Sequence, residues 1–162
     1  MSAPTSETSP LQVAATGHVA LNVTDLARSV DFYSGVFGFD VLGRSDEPGR
    51  EFAFLGRGAE LILTLWQQSA DEFPTAMAGL HHLAFNVPSI SDVEAAQAFL
   101  RSRDVPLVYD EILAHMPGMT SGGIFFTDPD GIRIEICTAE ARRSIPPATT
   151  APPAAVSSDG HR

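Results

Sequence analysis

His18-Val19-Ala20-Leu21-Asn22-Val23 and His82-Leu83-Ala84-Phe85-Asn86-Val87 are two versions of one six-residue phrase, set 64 residues apart. In each, Val, Leu or Phe alternates with a small or polar residue. That is the period of a half-buried strand, and it puts the leading histidine, the Ala and the Asn on one face. A helix-like stretch follows each phrase. The chain is therefore expected to be a duplicated unit, with a histidine at the matched place in each copy.

Working outward, Thr24-Asp25 has the chemistry to cap a helix that carries Leu26, Val30, Tyr33 and Phe37 near helical spacing and stops at Gly38. The period then changes. Runs at 39–42, 51–55 and 60–66, separated by Gly-containing turns, read as three strands. The second unit repeats this order: a strand over 81–87, a helix from about Ser91 to Arg103 capped by Ser89 or Ser91, then strands near 106–113, 123–127 and 132–138. Asp128-Pro129-Asp130-Gly131 reads as a tight turn before the last strand. A half of this size is too small to bury both faces of its own sheet, so the halves are expected to pack together and leave a shared cleft.

Composition narrows the function classes. The chain has 162 residues and is 44% hydrophobic, enough for one domain with a core. Its formal charge of −10 opposes binding to nucleic acid or to an anionic membrane surface. Cys137 is the only cysteine, which fits a reducing, cytoplasmic compartment, and no apolar run approaches membrane-spanning length. Residues 1–15 and the Pro/Ala-rich residues 141–162 read as flexible tails. Between them a single domain is expected over 16–140, with module 1 at 17–70, a linker at 71–79 and module 2 at 80–140.

The repeat also points to ligands. Aligning the last strands of the two units sets Leu63-Thr64-Leu65 against Ile134-Glu135-Ile136, so Thr64 is the internal counterpart of Glu135. Four places would converge in a two-fold cleft: His18, His82, Thr64 and Glu135. Two imidazoles and a carboxylate with positions left open is the pattern of non-haem Fe(II) oxygenases, and Mn, Ni, Co or Zn suit comparable groups. One divalent ion per chain is expected, with Fe(II) favoured. Glu60 shares a strand face with Thr64, but four residues along a strand is roughly 13 Å, too far to reach one metal. His81, adjacent to His82, would point to the opposite face and reads as a strand-edge residue. A buried histidine often only satisfies backbone groups, but two at matched repeat positions, with Glu135 on an apolar strand, favour the metal.

These residues resemble the vicinal oxygen chelate superfamily, which includes glyoxalase I, bleomycin-resistance proteins, fosfomycin-resistance enzymes and extradiol dioxygenases. The resemblance spans about residues 17–140. It rests on Gly17 to Val23 with Asp25-Leu26 and Asp31-Phe32-Tyr33, on Leu80-His81-His82-Leu83-Ala84-Phe85, and on Phe126 through Glu135. It implies an α+β fold of two tandem βαβββ modules that form a curved mixed sheet around a metal cleft. The implied ligands are His18, His82 and Glu135, and the implied assembly is a homodimer, because the family often builds its clefts by module exchange or sheet packing.

Departures from the family pattern bear on the reaction. Glyoxalase I places a second carboxylate where this chain has Thr64, and works with two opposed carboxylates. Extradiol members usually carry a tyrosine where this chain has Phe125, and an acid–base histidine where it has Trp66-Gln67-Gln68. His115, in the loop between Tyr109 and Gly122, is a candidate replacement for that histidine, against the plainer reading of an exposed loop residue. Trp66, Phe52, Phe54 and Ile62 fit a lining for an aromatic or apolar substrate. Arg133 shares the strand parity of Glu135 and suits an anion. Cys137 shares it too, and reads as a small reduced core residue. The expectation is a metal-dependent enzyme of extradiol dioxygenase type acting on a small aromatic, vicinal-diol or enediol substrate. The alternatives are a glyoxalase-like lyase, isomerase or transferase, and a non-catalytic protein that binds an antibiotic.

Overall fold

A computed structural model of the chain describes residues 15–114 and 121–138. The first unit runs β1 (Val19–Val23), α1 (Leu26–Phe37), β2 (Asp40–Ser45), β3 (Phe52–Arg57) and β4 (Glu60–Gln67). The second repeats it as β5 (Leu83–Val87), α2 (Ile90–Ser102), β6 (Leu113–Ala114), β7 (Gly122–Thr127) and β8 (Arg133–Thr138). Each unit closes its own four-stranded mixed sheet, ordered β1-β4-β3-β2 and β5-β8-β7-β6, with the first and last strands parallel and the other pairs antiparallel. This is the expected α+β fold of two βαβββ modules. The tails expected at 1–15 and 141–162 lie, apart from residue 15, outside the described residues.

Local chemistry sets the helix ends. The Asp25 carboxylate accepts the Arg28 N–H at 2.9 Å, the Gln67 side-chain oxygen accepts the Leu26 N–H at 2.7 Å, and Gly38 ends α1 in the left-handed region at φ 66°. Ser89 and Asp92 form a reciprocal capping box on α2, which fixes the choice between Ser89 and Ser91.

Strand alternation sorts each sheet into two faces. Leu21, Val23, Ala53, Leu55, Leu63 and Leu65 are buried toward α1, which contributes Leu26, Val30 and Tyr33. Ile124, Phe126, Ile134 and Ile136 do the same beside Val93 and Leu100 of α2. Each fully buried aliphatic side chain stabilises the fold by about 1.5–3 kcal/mol. Their alternate neighbours form the other faces, and those carry the chemistry.

The strand expected near 106–113 is mostly absent. Leu107 makes one isolated bridge to Phe126, and pairing resumes only at Leu113–Ala114. Pro106 has no N–H to give a ladder. Farther along, the Asp110 carbonyl accepts the Gln97 and Arg101 side chains instead of a strand partner.

Aromatic packing and hydrogen bonds from one buried turn join the modules. Phe37 packs on Phe85 and Phe126, with ring centroids 4.5 and 6.2 Å away. The turn at 128–131 is also more than a tight connection. Buried Asp130 accepts the Thr24 N–H at 3.1 Å and pairs with Arg28 at 2.6 Å, and Asp128 accepts the Tyr33 hydroxyl at 2.9 Å.

Candidate metal centre

On β8, Glu135 stands between Ala84 of β5 and Phe125 of β7 in the sheet register. It is 5% exposed. Its Oε2 lies 3.1 Å from Nε2 of His82, which sits just before β5 and is half-buried. Gly123 makes room for this carboxylate, since a Cβ there would come within 2.8 Å of Glu135 Oε1 and 2.9 Å of the Ile136 carbonyl.

His81 approaches its neighbour instead of pointing away, because both histidines precede β5 and escape strand alternation. The two Nδ1 atoms are 2.7 Å apart, so one carries a proton that the other accepts. With Nδ1 of His82 engaged there, its Nε2 is the nitrogen presented to Glu135. A second-sphere partner of this kind orients a ligating imidazole. Phe125 packs edge-on to His82, and Tyr109 edge-on to Phe125, at 5.8 and 6.0 Å between centroids. Sequence reasoning missed the role of His81 because strand parity was extended one residue too far.

The first module offers the matching half. Thr64 sits between Ala20 of β1 and Phe54 of β3, the same register that Glu135 has in the second module. It is buried, and its hydroxyl accepts the Trp66 indole N–H at 3.2 Å. Phe52, Phe54 and Trp66 lie beside it as a half-buried aromatic surface, with Phe52 5.2 Å from Trp66 and 4.8 Å from Phe54. His18 is exposed, immediately before β1. It lines a cavity of about 260 Å3 at the junction of the modules, with Glu60 and Ile62 on one side and Leu83, Ala84 and Phe85 on the other.

The structure thus brings His82 and Glu135 together. Among the described residues, no three His, Cys, Asp or Glu side chains are gathered as a metal-holding group, and His18 does not join the pair. Glu60 is exposed at the start of β4, opposite Arg57. Cys137 is buried and its thiol meets the Asn86 side-chain oxygen at 3.4 Å. His115 lies outside the described residues. A buried carboxylate against an imidazole is a donor pair suited to a divalent cation.

The sequence matches the profile of the Glyoxalase/Bleomycin resistance protein/Dioxygenase superfamily over residues 15–136, and the chain belongs to that superfamily. It is 31% identical over 125 residues to a lactoylglutathione lyase of Escherichia coli O157:H7, covering 74% of this chain and 88% of that protein. It is 30% identical over 122 residues to a catechol-2,3-dioxygenase of Bacillus subtilis, covering 74% of this chain and 40% of that protein. In fold it resembles the fosfomycin resistance protein FosX of Listeria monocytogenes, whose structure holds Mn(II), with a TM-score of 0.62 and 18% identity over 82% of this chain and 99% of that one. Lactoylglutathione lyase is the more frequent name among the relatives. The preference for a dioxygenase over a lyase therefore draws no support from the relatives' names. No helix of the described residues is long and apolar enough to cross a membrane.

Proposed function

We propose that the protein is a cytoplasmic, metal-dependent enzyme of extradiol dioxygenase type, acting on a small aromatic or enediol substrate with two adjacent oxygens. The observation that carries this reading is Thr64. It holds the register of Glu135 in the other module, so this site has one carboxylate where a two-carboxylate proton shuttle needs two. A divalent cation, with Fe(II) favoured, would be held by His18, His82 and Glu135, and would supply Lewis acidity and open positions for a chelating substrate.

His82 and Glu135 come from one chain, and His18 from the first module of a second copy, so that the cleft is completed in a homodimer. Support comes from the exposure of His18 and its separation from the His82–Glu135 pair. The Phe52, Phe54 and Trp66 surface would stack the ring of an aromatic substrate. His115 would pass a proton between substrate and solvent, as an imidazole does near neutral pH.

The test is elemental analysis of the purified protein, then anaerobic Fe(II) loading and oxygen uptake against a panel of catechols. Isomerisation of the hemithioacetal of methylglyoxal and glutathione serves as the comparison. Oxygen uptake with a catechol supports the reading. Isomerase turnover with no oxygen uptake overturns it in favour of the lyase named among the relatives.

A further inference from the structure

The chain has no lysine; its ten basic residues are all arginines. Seven of them fall in the described residues, and six of those are occupied. Arg28 pairs with Asp130, Arg44 with Asp46 and Arg50 with Glu47. Arg57 donates to the Phe37 carbonyl, Arg101 donates to the Asp110 carbonyl, and Arg103 lies over the Phe99 ring. Among the described residues, Arg133 alone has neither a hydrogen-bond, an ion-pair nor a ring partner for its guanidinium. It opens β8 two residues before Glu135 and is half-buried, in a cavity of about 100 Å3 lined by Phe73, Thr75, Leu80, His81 and Arg133.

In a protein with a formal charge of −10, a half-buried guanidinium left with no partner of any kind is an exception that chemistry should account for. The cavity gathers a guanidinium, an imidazole and a hydroxyl against two apolar side chains. Those donors match an oxyanion. A planar guanidinium fits a carboxylate in bidentate fashion, and a partly dry wall strengthens that bond. The cavity is tied to the candidate centre through one contact, because the His81 that lines it bonds to His82, whose other nitrogen meets Glu135.

We infer that Arg133, with His81 and Thr75, forms a carboxylate-binding subsite beside the metal centre, so that the substrate is a small diol or enediol that also bears a carboxylate. This rests on the reading of the centre given above and narrows its substrate class. Arg133 is a binding residue here, and it holds one end of the substrate while the two adjacent oxygens reach the metal ligands.

The experiment has two arms. In the first, catechol and its carboxylate-bearing counterpart 2,3-dihydroxybenzoate are titrated into anaerobic Mn(II)-loaded protein. The carboxylate should tighten binding by about tenfold or more, roughly what one charge-assisted bidentate pair contributes. That ratio should collapse toward one in Arg133→Gln and be partly kept in Arg133→Lys. In the second arm, benzoate and inorganic phosphate are titrated into metal-free protein while the histidine ring resonances are followed by NMR. Saturable benzoate binding that is lost in Arg133→Gln supports the subsite even if the metal reading fails. Equal affinity for the two catechols in the wild type, with no Arg133-dependent benzoate binding, overturns the subsite and leaves the metal reading standing. Arg133-dependent binding of phosphate in preference to benzoate overturns the assignment to a carboxylate. Unchanged circular dichroism of the variants excludes misfolding as the cause.

Discussion

Thr64 and Glu135 occupy one place in two copies of one unit: each stands on the last strand of its sheet, between an alanine of the first strand and a phenylalanine of the third. One copy has kept a carboxylate there and the other a hydroxyl. Because the Thr64 hydroxyl is already engaged by Trp66, it is a poor metal ligand. Thr64→Val should therefore leave metal content unchanged while lowering stability by about 1 kcal/mol, since the partly buried indole N–H loses its acceptor. Elemental analysis and denaturant titration check both halves, and a large loss of metal would place the hydroxyl in the binding set.

If His18 reaches the centre from a second copy, two inactive variants should complement each other. His18→Ala and Glu135→Ala homodimers each carry two broken sites and should lose stoichiometric metal. Refolded together, the mixed dimers would hold one intact site, made from the His18 of one chain and the His82 and Glu135 of the other. Metal bound by the refolded mixture, absent from either variant alone, is the expected result. A site built within one chain gives no recovery.

Gly123 and His81 support the pair from behind. A methyl group at 123 would crowd the Glu135 carboxylate, and removal of His81 frees the Nδ1 of His82. Gly123→Ala and His81→Ala should each weaken metal affinity by about 10- to 100-fold, the range typical of second-sphere changes. Competition with a chelator measures it. An affinity within twofold of wild type in the His81 variant would return His81 to the strand-edge role that strand parity suggested.

The duplication was legible because it is written in strand periodicity: the phrases at 18–23 and 82–87 became β1 and β5 within a residue of their expected positions, and Asp25 and Gly38 bounded α1 as their chemistry dictates. The Thr64–Glu135 equivalence followed from the same repeat and holds in the register. What failed did so for local reasons. Pro106 and the side-chain donors at the Asp110 carbonyl broke the strand expected at 106–113. Contacts across modules left no mark in periodicity, so Asp128 and Asp130 read as a bare turn although they bind Tyr33, Thr24 and Arg28 of the other unit. The meeting of His81 with His82 and the space that Gly123 leaves for Glu135 are likewise three-dimensional facts with no spacing signature.

Asp128 and Tyr33 make that inter-module contact sensitive to pH. Burial raises the Asp128 carboxyl above its ordinary value, and hydrogen bonds from the Ile132 N–H, the Tyr33 hydroxyl and the Asp130 N–H only partly offset it. The Tyr33 hydroxyl is pushed well above the usual phenol range, first by burial and then by the Asp128 charge, so it stays a donor at neutral pH. A carboxyl whose value is raised on folding contributes stability that is fully present below the ordinary carboxylate range and is lost as pH rises through the raised value. Asp128→Asn removes that dependence while keeping an oxygen for the two backbone donors. Its stability relative to wild type should therefore improve as pH rises from about 4 to about 7. Tyr33→Phe should act the other way, costing about 2 kcal/mol at neutral pH, where the ionised carboxylate loses a donor, and less in acid. Thermal melts of the three proteins across that range decide it, and a wild type that gains on Asp128→Asn as pH rises would refute the account.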